Sequence, residues 1–281
     1  AVHVMDREAD SYRVFSDLNS HSCNWVIRLS HNRSIGEDKI FDLVKNQAVV
    51  AEREVILSKR SEPLFPQGRK IHPGRKQRKV KLGVQFIHVK LPQSGDIKKH
   101  KQQDKYLKSI QINVVRVFEL SPIKGEKPVE WFLGTNLEIT NRGDALKVVD
   151  IYRRRWIVEE YFKAIKSGCK IEERQFSEIE SLNKLSIFLS PMAVKLMNLR
   201  SLQALEVTKT NILSSHEWAV LERLAITNGR PLKTLGDGLR EISHLGGYIQ
   251  SNGPPGWIVL SRGYAKLNAM AQSLSLFPEL C

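Results

Sequence analysis

Two long stretches, Val80 to Leu91 and Ile110 to Phe118, alternate apolar and polar residues with a period of two, and a chain that carries them has to build a β-sheet. Shorter apolar runs add to it. Ala1-Val2-His3-Val4-Met5 and Trp25-Val26-Ile27-Arg28-Leu29 each predict a buried strand, with a helix over residues 8 to 20 between them, and Trp131 to Gly134 predicts another strand. Beyond that the period changes. A helix is expected to start at Gly143 or Asp144, and Leu182, Leu185, Leu189, Leu196 and Leu199 continue with helical spacing, with Pro191 as a kink or break. Leu260 to Leu280 is again helical in pattern, after a loop containing Gly246-Gly247 and Gly253-Pro254-Pro255-Gly256. Strands first and helices later define an α/β chain.

Chemistry concentrates in Tyr152 to Lys166, YRRRWIVEEYFKAIK. On an ideal helix turning about 100° per residue, Tyr152, Arg155, Glu159, Lys163 and Lys166 share an arc of roughly 80°, so one carboxylate lies among three cations and a phenol. Val158, Tyr161, Phe162 and Ile165 follow apolar helical spacing on an adjoining side and are expected to face a core. Such a stripe also fits a solvated surface, with Glu159 and Lys163 as an ordinary pair four residues apart. The second clue is Asp6, which opens the string Asp6-Arg7-Glu8-Ala9-Asp10 at the carboxyl end of the first strand, where open α/β sheets keep their chemistry.

Asp-Arg-Glu-Ala-Asp after an apolar strand, followed much later by Tyr-x-x-Arg-x-x-x-Glu-x-x-x-x-x-x-Lys, resembles the bacterial insertion-sequence transposases of the DDE superfamily, of the kanamycin-transposon type. The likeness extends to Trp131-Phe132-Leu133-Gly134-Thr135-Asn136, Glu173-Arg174-Gln175 and the closing Gly256-Trp257-Ile258-Val259-Leu260 with Arg262-Gly263-Tyr264. It implies a retroviral-integrase-like, RNase H-like catalytic core in which three carboxylates hold two Mg²⁺ or Mn²⁺ ions. Asp6 matches the second acid and Glu159 the third. The first acid and a site-specific DNA-binding domain have no counterpart here, so the resemblance implies the carboxyl-terminal part of a transposase, inactive alone.

Phosphodiester cleavage asks for such residues. A water or 3′ hydroxyl must be activated while charge builds on the phosphoryl and leaving oxygens, and two metal ions about 3.5–4 Å apart can serve both. Hard cations prefer carboxylate oxygens, which makes Asp6 and Glu159 the proposed ligands rather than the 3 Cys or 8 His. Arg155, Lys163 and Lys166 would neutralise phosphates, Tyr152 would donate to another phosphate oxygen, and the cations would keep Glu159 ionised. From composition Trp131 is a core aromatic of its strand; the resemblance instead implies that it stacks on a base flipped out at the transposon end.

Net charge is +14, and residues 59 to 108 hold 15 Lys and Arg against 3 Asp and Glu, which points to a phosphate-binding surface densest between Arg69 and Lys79. The expected organisation is a catalytic core in two parts, 1–30 and 129–200, split by a basic β-rich insertion at 31–128 and followed by a helical region at 201–281. By resemblance that last region pairs two molecules so that two double-stranded DNA ends meet in one synaptic complex; by sequence it fits an intramolecular helical layer equally. Cys23, Cys169 and Cys281 have no metal-like spacing and are expected as free thiols in a reducing bacterial cytoplasm. A secretion signal, an apolar run of 18 or more residues and a P-loop are all missing from the sequence, which argues against secretion, membrane spanning and nucleotide-driven chemistry. Two other readings stay open: a truncated, non-catalytic regulator that dimerises with full-length transposase and inhibits transposition, and an unrelated basic nucleic-acid-binding protein in which Asp6 and Glu159 are surface acids.

Overall fold

The protein is described here by a computed structural model covering residues 1–59, 74–98, 103–206 and 211–276. It divides into two compact units, Ala1–Arg155 and Trp156–Cys281.

In the first unit a six-stranded sheet combines β1 (Val2–Met5), β2 (Asn24–Arg28), β5 (Ala51–Leu57), β6 (Arg78–Pro92), β7 (Ser109–Glu119) and β8 (Glu130–Thr135) in the order β1-β2-β8-β7-β6-β5. β1 and β2 run parallel and every other pairing is antiparallel. A two-stranded ribbon, β3 (Ser34–Ile35) with β4 (Asp38–Lys39), lies outside this sheet. The strands expected in the insertion thus join β1, β2 and β8 in one sheet. Continuity comes from the pairing of β7 with β8, in which Val115 lies opposite Leu133 and Val117 opposite Trp131.

Helices cover both faces. On one side α1 (Tyr12–Ser20) and α2 (Ile40–Lys45) bring Phe15, Ile40 and Val44 against Trp25, Ile27, Ile112, Val114 and Phe132; the short α3 (Gly95–Lys98) adds Ile97. Phe15 stacks on Trp25 at 4.8 Å and Phe41 on Phe132 at 3.9 Å. On the other side α4 (Arg142–Arg153) lays Ala145, Val148, Val149 and Tyr152 over Val26, Val84, Val115, Val117 and Leu133. This double cover explains why β2 reads as an unbroken apolar run, since Trp25 and Ile27 serve one face and Val26 the other. The start of α4 is set by Asn141, whose side-chain oxygen accepts from the backbone N–H groups of Gly143 and Asp144.

The second unit is helical: α5 (Ile157–Lys163), α6 (Ile179–Ser201), α7 (Ser215–Thr227), α8 (Leu235–Leu245) and α9 (Trp257–Leu276). Its core is formed by Ala193, Leu196, Leu199, Leu221, Leu239, Ile242, Leu260 and Leu267. Pro191 sits inside α6 without ending it. α8 and α9 meet at backbone contact through Gly246 and Gly263, because a Cβ on Gly263 would lie 1.8 Å from the Ile242 carbonyl oxygen.

A buried carboxylate ties three of these helices together. Glu217 on α7 is 2% exposed and accepts from the Tyr264 hydroxyl on α9 at 2.6 Å, from Lys195 Nζ on α6 at 3.2 Å and from the Ser214 N–H at 2.6 Å. Burial, the largest single influence, pushes the Glu217 pKa up, but Tyr264, the Ser214 N–H and Lys195 together outweigh it and hold the carboxyl below its ordinary value. A depressed folded-state pKa stabilises at pH values above the unfolded pKa of about 4.3, and that contribution disappears as pH falls through the folded value. Melting followed from pH 7 to pH 3 is therefore expected to show a loss of stability that shrinks in Glu217→Gln, alongside a lower melting temperature for this variant at pH 7. If the variant and wild type declined in parallel, Glu217 would not be a source of the acid sensitivity.

Candidate functional site

Asp6 leaves the carboxyl end of β1 and caps a 3₁₀ turn over Arg7–Ala9, its Oδ1 accepting from the Glu8 N–H at 3.0 Å. Its side chain is exposed, and Oδ2 carries no hydrogen bond among the described residues. The turn is held from behind by Asp10. That carboxylate is buried and accepts from the Ser30 N–H at 2.6 Å, the Ser30 hydroxyl at 3.2 Å and the His31 N–H at 2.8 Å, while Arg33 pairs with its other oxygen at 2.5 Å. Arg33 also donates to the Asp10 carbonyl at 2.9 Å and lies over the Phe15 ring. Asp10 thus anchors the loop that presents Asp6.

The strand register brings further groups to the same end of the sheet. Met5 is level with Ile27, and Arg28 lies opposite Leu133, so the carboxyl ends of β1 and β2 adjoin the start of β8. There Trp131 meets Tyr152 edge to face at 5.6 Å between ring centroids, and the Arg28 guanidinium sits 5.7 Å from the Trp131 ring centroid. Burial, first among the influences, lowers the Arg28 pKa; Arg7 and Arg155 push the same way, and the hydrogen-bonded Tyr152 opposes them. Arg28 thus lies beside a phenol and an indole, with the charges of Arg7 and Arg155 acting on it.

Arg28 belongs to this cluster and was not singled out from the sequence. Its signal was present as a cation closing an otherwise apolar strand, Trp25-Val26-Ile27-Arg28. Tyr152, by contrast, was expected on a free polar face and is buried, 6% exposed, in the core between α4 and the sheet. The reason is local geometry. The stretch from Tyr152 to Lys166 is not one α-helix: α4 ends at Arg153, a 3₁₀ turn spans Arg154–Trp156, α5 comes next, and a π-helical turn closed by the Cys169 N–H on the Ala164 carbonyl spans Ala164–Gly168. A stretch that passes through 3₁₀, α and π turns does not keep the regular side-chain spacing of one ideal α-helix.

Glu159 lies in the first turn of α5, half-buried. Lys163 pairs with Glu160 at 2.9 Å, and Lys166 pairs with Glu172 at 2.7 Å. The Lys163 ammonium also lies 5.0 Å from the centroid of the Trp156 ring. The apolar side expected to face a core is only partly inside: Ile165 is buried, whereas Val158 and Phe162 are about half exposed, at 49% and 51%. Of the densest basic stretch, Arg69 to Lys79, residues 69–73 fall outside the described residues, as does Cys281; of the rest, Arg75 donates to the Ser58 carbonyl and Arg78, at the start of β6, pairs with Glu119 and Glu126, and Cys23 and Cys169 are free thiols.

For a divalent cation the fit rests on donor chemistry. Asp6 and Glu159 offer the carboxylate oxygens a hard cation prefers, and the described residues contain no group of three or more His, Cys, Asp or Glu able to hold a metal. No helix among the described residues is long and apolar enough to cross a membrane.

The first unit thus joins a mixed sheet, an acid at the carboxyl end of a parallel strand, and an arginine and aromatic cluster at that end of the sheet. A family model for the transposase DDE domain matches residues 1–189. The chain belongs to the transposase DDE-domain family.

Proposed function

We propose that this chain serves cut-and-paste DNA transposition of the insertion-sequence type, contributing Asp6 and Glu159 as the second and third acids of an RNase H-like core that hydrolyses and rejoins phosphodiesters at transposon ends. The observation that supports this most is the family match over residues 1–189, which spans both acids. Asp6 and Glu159 would hold the divalent cations, Mg²⁺ or Mn²⁺. When bound, such ions lower the pKa of an attacking water or hydroxyl and offset charge on the phosphoryl oxygens.

The rest of the work falls to side chains. Arg28, with Arg7 and Arg155 close enough to influence it, would draw phosphate oxygens to the end of the sheet, and the Tyr152 hydroxyl, fixed by its contact with Trp131, would orient one of them. Trp131 offers an indole where an unstacked base can rest. Asp10 keeps the Asp6 loop in place through Ser30, His31 and Arg33. Lys163 and Lys166, on the helical unit, would exchange their carboxylate partners Glu160 and Glu172 for phosphates. Two copies are proposed to join two DNA ends, with the helical region providing the pairing surface.

The test is a cleavage and joining assay on an insertion-sequence end, in a protein that also supplies the first acid. Cleavage is expected in Mg²⁺ or Mn²⁺, to stop on chelation, and to return when the metal is restored, with duplex binding little changed throughout. Cleavage that continued undiminished in chelator would sink the reading.

A further inference from the structure

The helical unit contains a cavity of about 170 Å³ between the end of α6, the outer face of α8 and the Gly- and Pro-rich loop before α9. Its charged lining groups are Arg200 and Arg240; Gln203, Tyr248, Pro254 and Leu260 are among the others, and no acid lines it. The volume matches roughly five or six waters at about 30 Å³ each, which is ample room for a phosphate group.

The two arginines are placed as anion receptors. The Arg200 guanidinium lies 4.8 Å from the Trp257 ring centroid, which holds its plane, and among the described residues no ion pair or side-chain hydrogen bond is seen for it, although its charge is felt by Glu160. Arg240 reaches only a long 3.4 Å contact with Asp237 Oδ1. Asp237 is itself committed through Oδ2 to the N–H groups of Lys233 and Thr234 and to the Thr234 hydroxyl. Stacking pre-organises a guanidinium for bidentate binding, and a second one held by a single long contact to a carboxylate adds positive charge beside it. Tyr248 also lines the cavity, its ring against His244, and no hydrogen bond of its hydroxyl is seen among the described residues.

We propose that this cavity is a phosphate-binding site, distinct in sequence and element from the candidate active-site groups, that takes one phosphate of a nucleic-acid backbone or a free inorganic phosphate. Its use on a DNA backbone rests on the transposase reading above.

The experiment uses the full 281-residue chain and the variants Arg240→Gln and Arg200→Gln/Arg240→Gln, with circular dichroism and melting as controls of folding. Arg240 is exposed and its removal should leave the fold intact, which keeps the test decisive should the double variant unfold. Duplex affinity is measured across salt concentrations, and melting is measured in inorganic phosphate against chloride at equal ionic strength. For a backbone site the slope of log K against log salt should flatten by about 0.9 for each phosphate that a variant no longer neutralises, with affinity down roughly tenfold at low salt. Phosphate should raise the wild-type melting temperature and have no such effect on the variants. If the phosphate response disappears in the variants while duplex affinity and slope stay at wild-type values, the site takes free phosphate rather than a backbone. A phosphate response that is absent or equal in all three proteins, together with unchanged duplex binding, overturns the proposal. Failure of the wild-type chain to bind duplex at all would count against the transposase reading instead, and the phosphate response would still decide this site.

Discussion

Asp6→Asn and Glu159→Gln are each expected to reduce metal-dependent strand cleavage by roughly 10³-fold or more, equivalent to about 4 kcal/mol of transition-state stabilisation, while duplex affinity changes little. Each substitution keeps the size of the side chain and removes a negative charge and a hard oxygen donor. Asp6 is exposed and its cap to Glu8 involves one oxygen, a contact the asparagine carbonyl can keep, so the turn and the Asp10 anchor behind it should survive. Glu159 occupies the first turn of α5, where glutamine is tolerated by the helix. The assay pairs cleavage rate with equilibrium binding in a protein that supplies the first acid. A variant in which binding and cleavage fell to the same extent would show that its carboxylate supports the fold or the DNA contact rather than the chemistry.

Gly263→Ala is expected to destabilise the helical unit by about 3 kcal/mol or more, and Gly246→Ala by a similar amount. The added methyl would sit 1.8 Å from the Ile242 carbonyl oxygen in the first case and 1.9 Å from the Val259 carbonyl oxygen in the second, and the obstacle in both is backbone. Backbone cannot rotate aside as the end of a side chain can. α8 and α9 would have to separate, opening the packing around Ile242 and Leu260, both fully buried. Denaturant or thermal unfolding measures the effect. Near-wild-type stability for both variants would mean that the helices pack farther apart than this crossing.

How much of this was legible beforehand differs by element. The alternation in Val80 to Leu91 and Ile110 to Phe118 located β6 and β7 to within about two residues at each end, although the buried positions change face along them, in β7 from Ile110, Ile112 and Val114 on one side to Val115 and Val117 on the other. The start of α4 was readable from the Gly143 and Asp144 signal. The Tyr152 to Lys166 stretch was legible as a chemical motif, whereas its division into 3₁₀, α and π turns was not. Its residue types are those a phosphate-handling site needs, but the 3₁₀ and π turns that divide it are chosen by packing on either side, with Tyr152 drawn into one core and Ala164 and Ile165 into the other.

Sequence alone determined the α/β class, the acid at the end of the first strand, the basic character and the family to which the motifs point. These depend on local periodicity and residue chemistry, which act over a few residues. Tertiary structure decided that β5, β6 and β7 share one sheet with β1, β2 and β8, that Arg28 stands beside Trp131 and Tyr152, and that Glu217 locks three helices. Those outcomes depend on which distant segments meet, such as Arg28 with Glu130 across 102 positions or Tyr264 with Glu217 across 47. Burial of apolar area selects such meetings over the chain as a whole, and a local pattern carries no record of them.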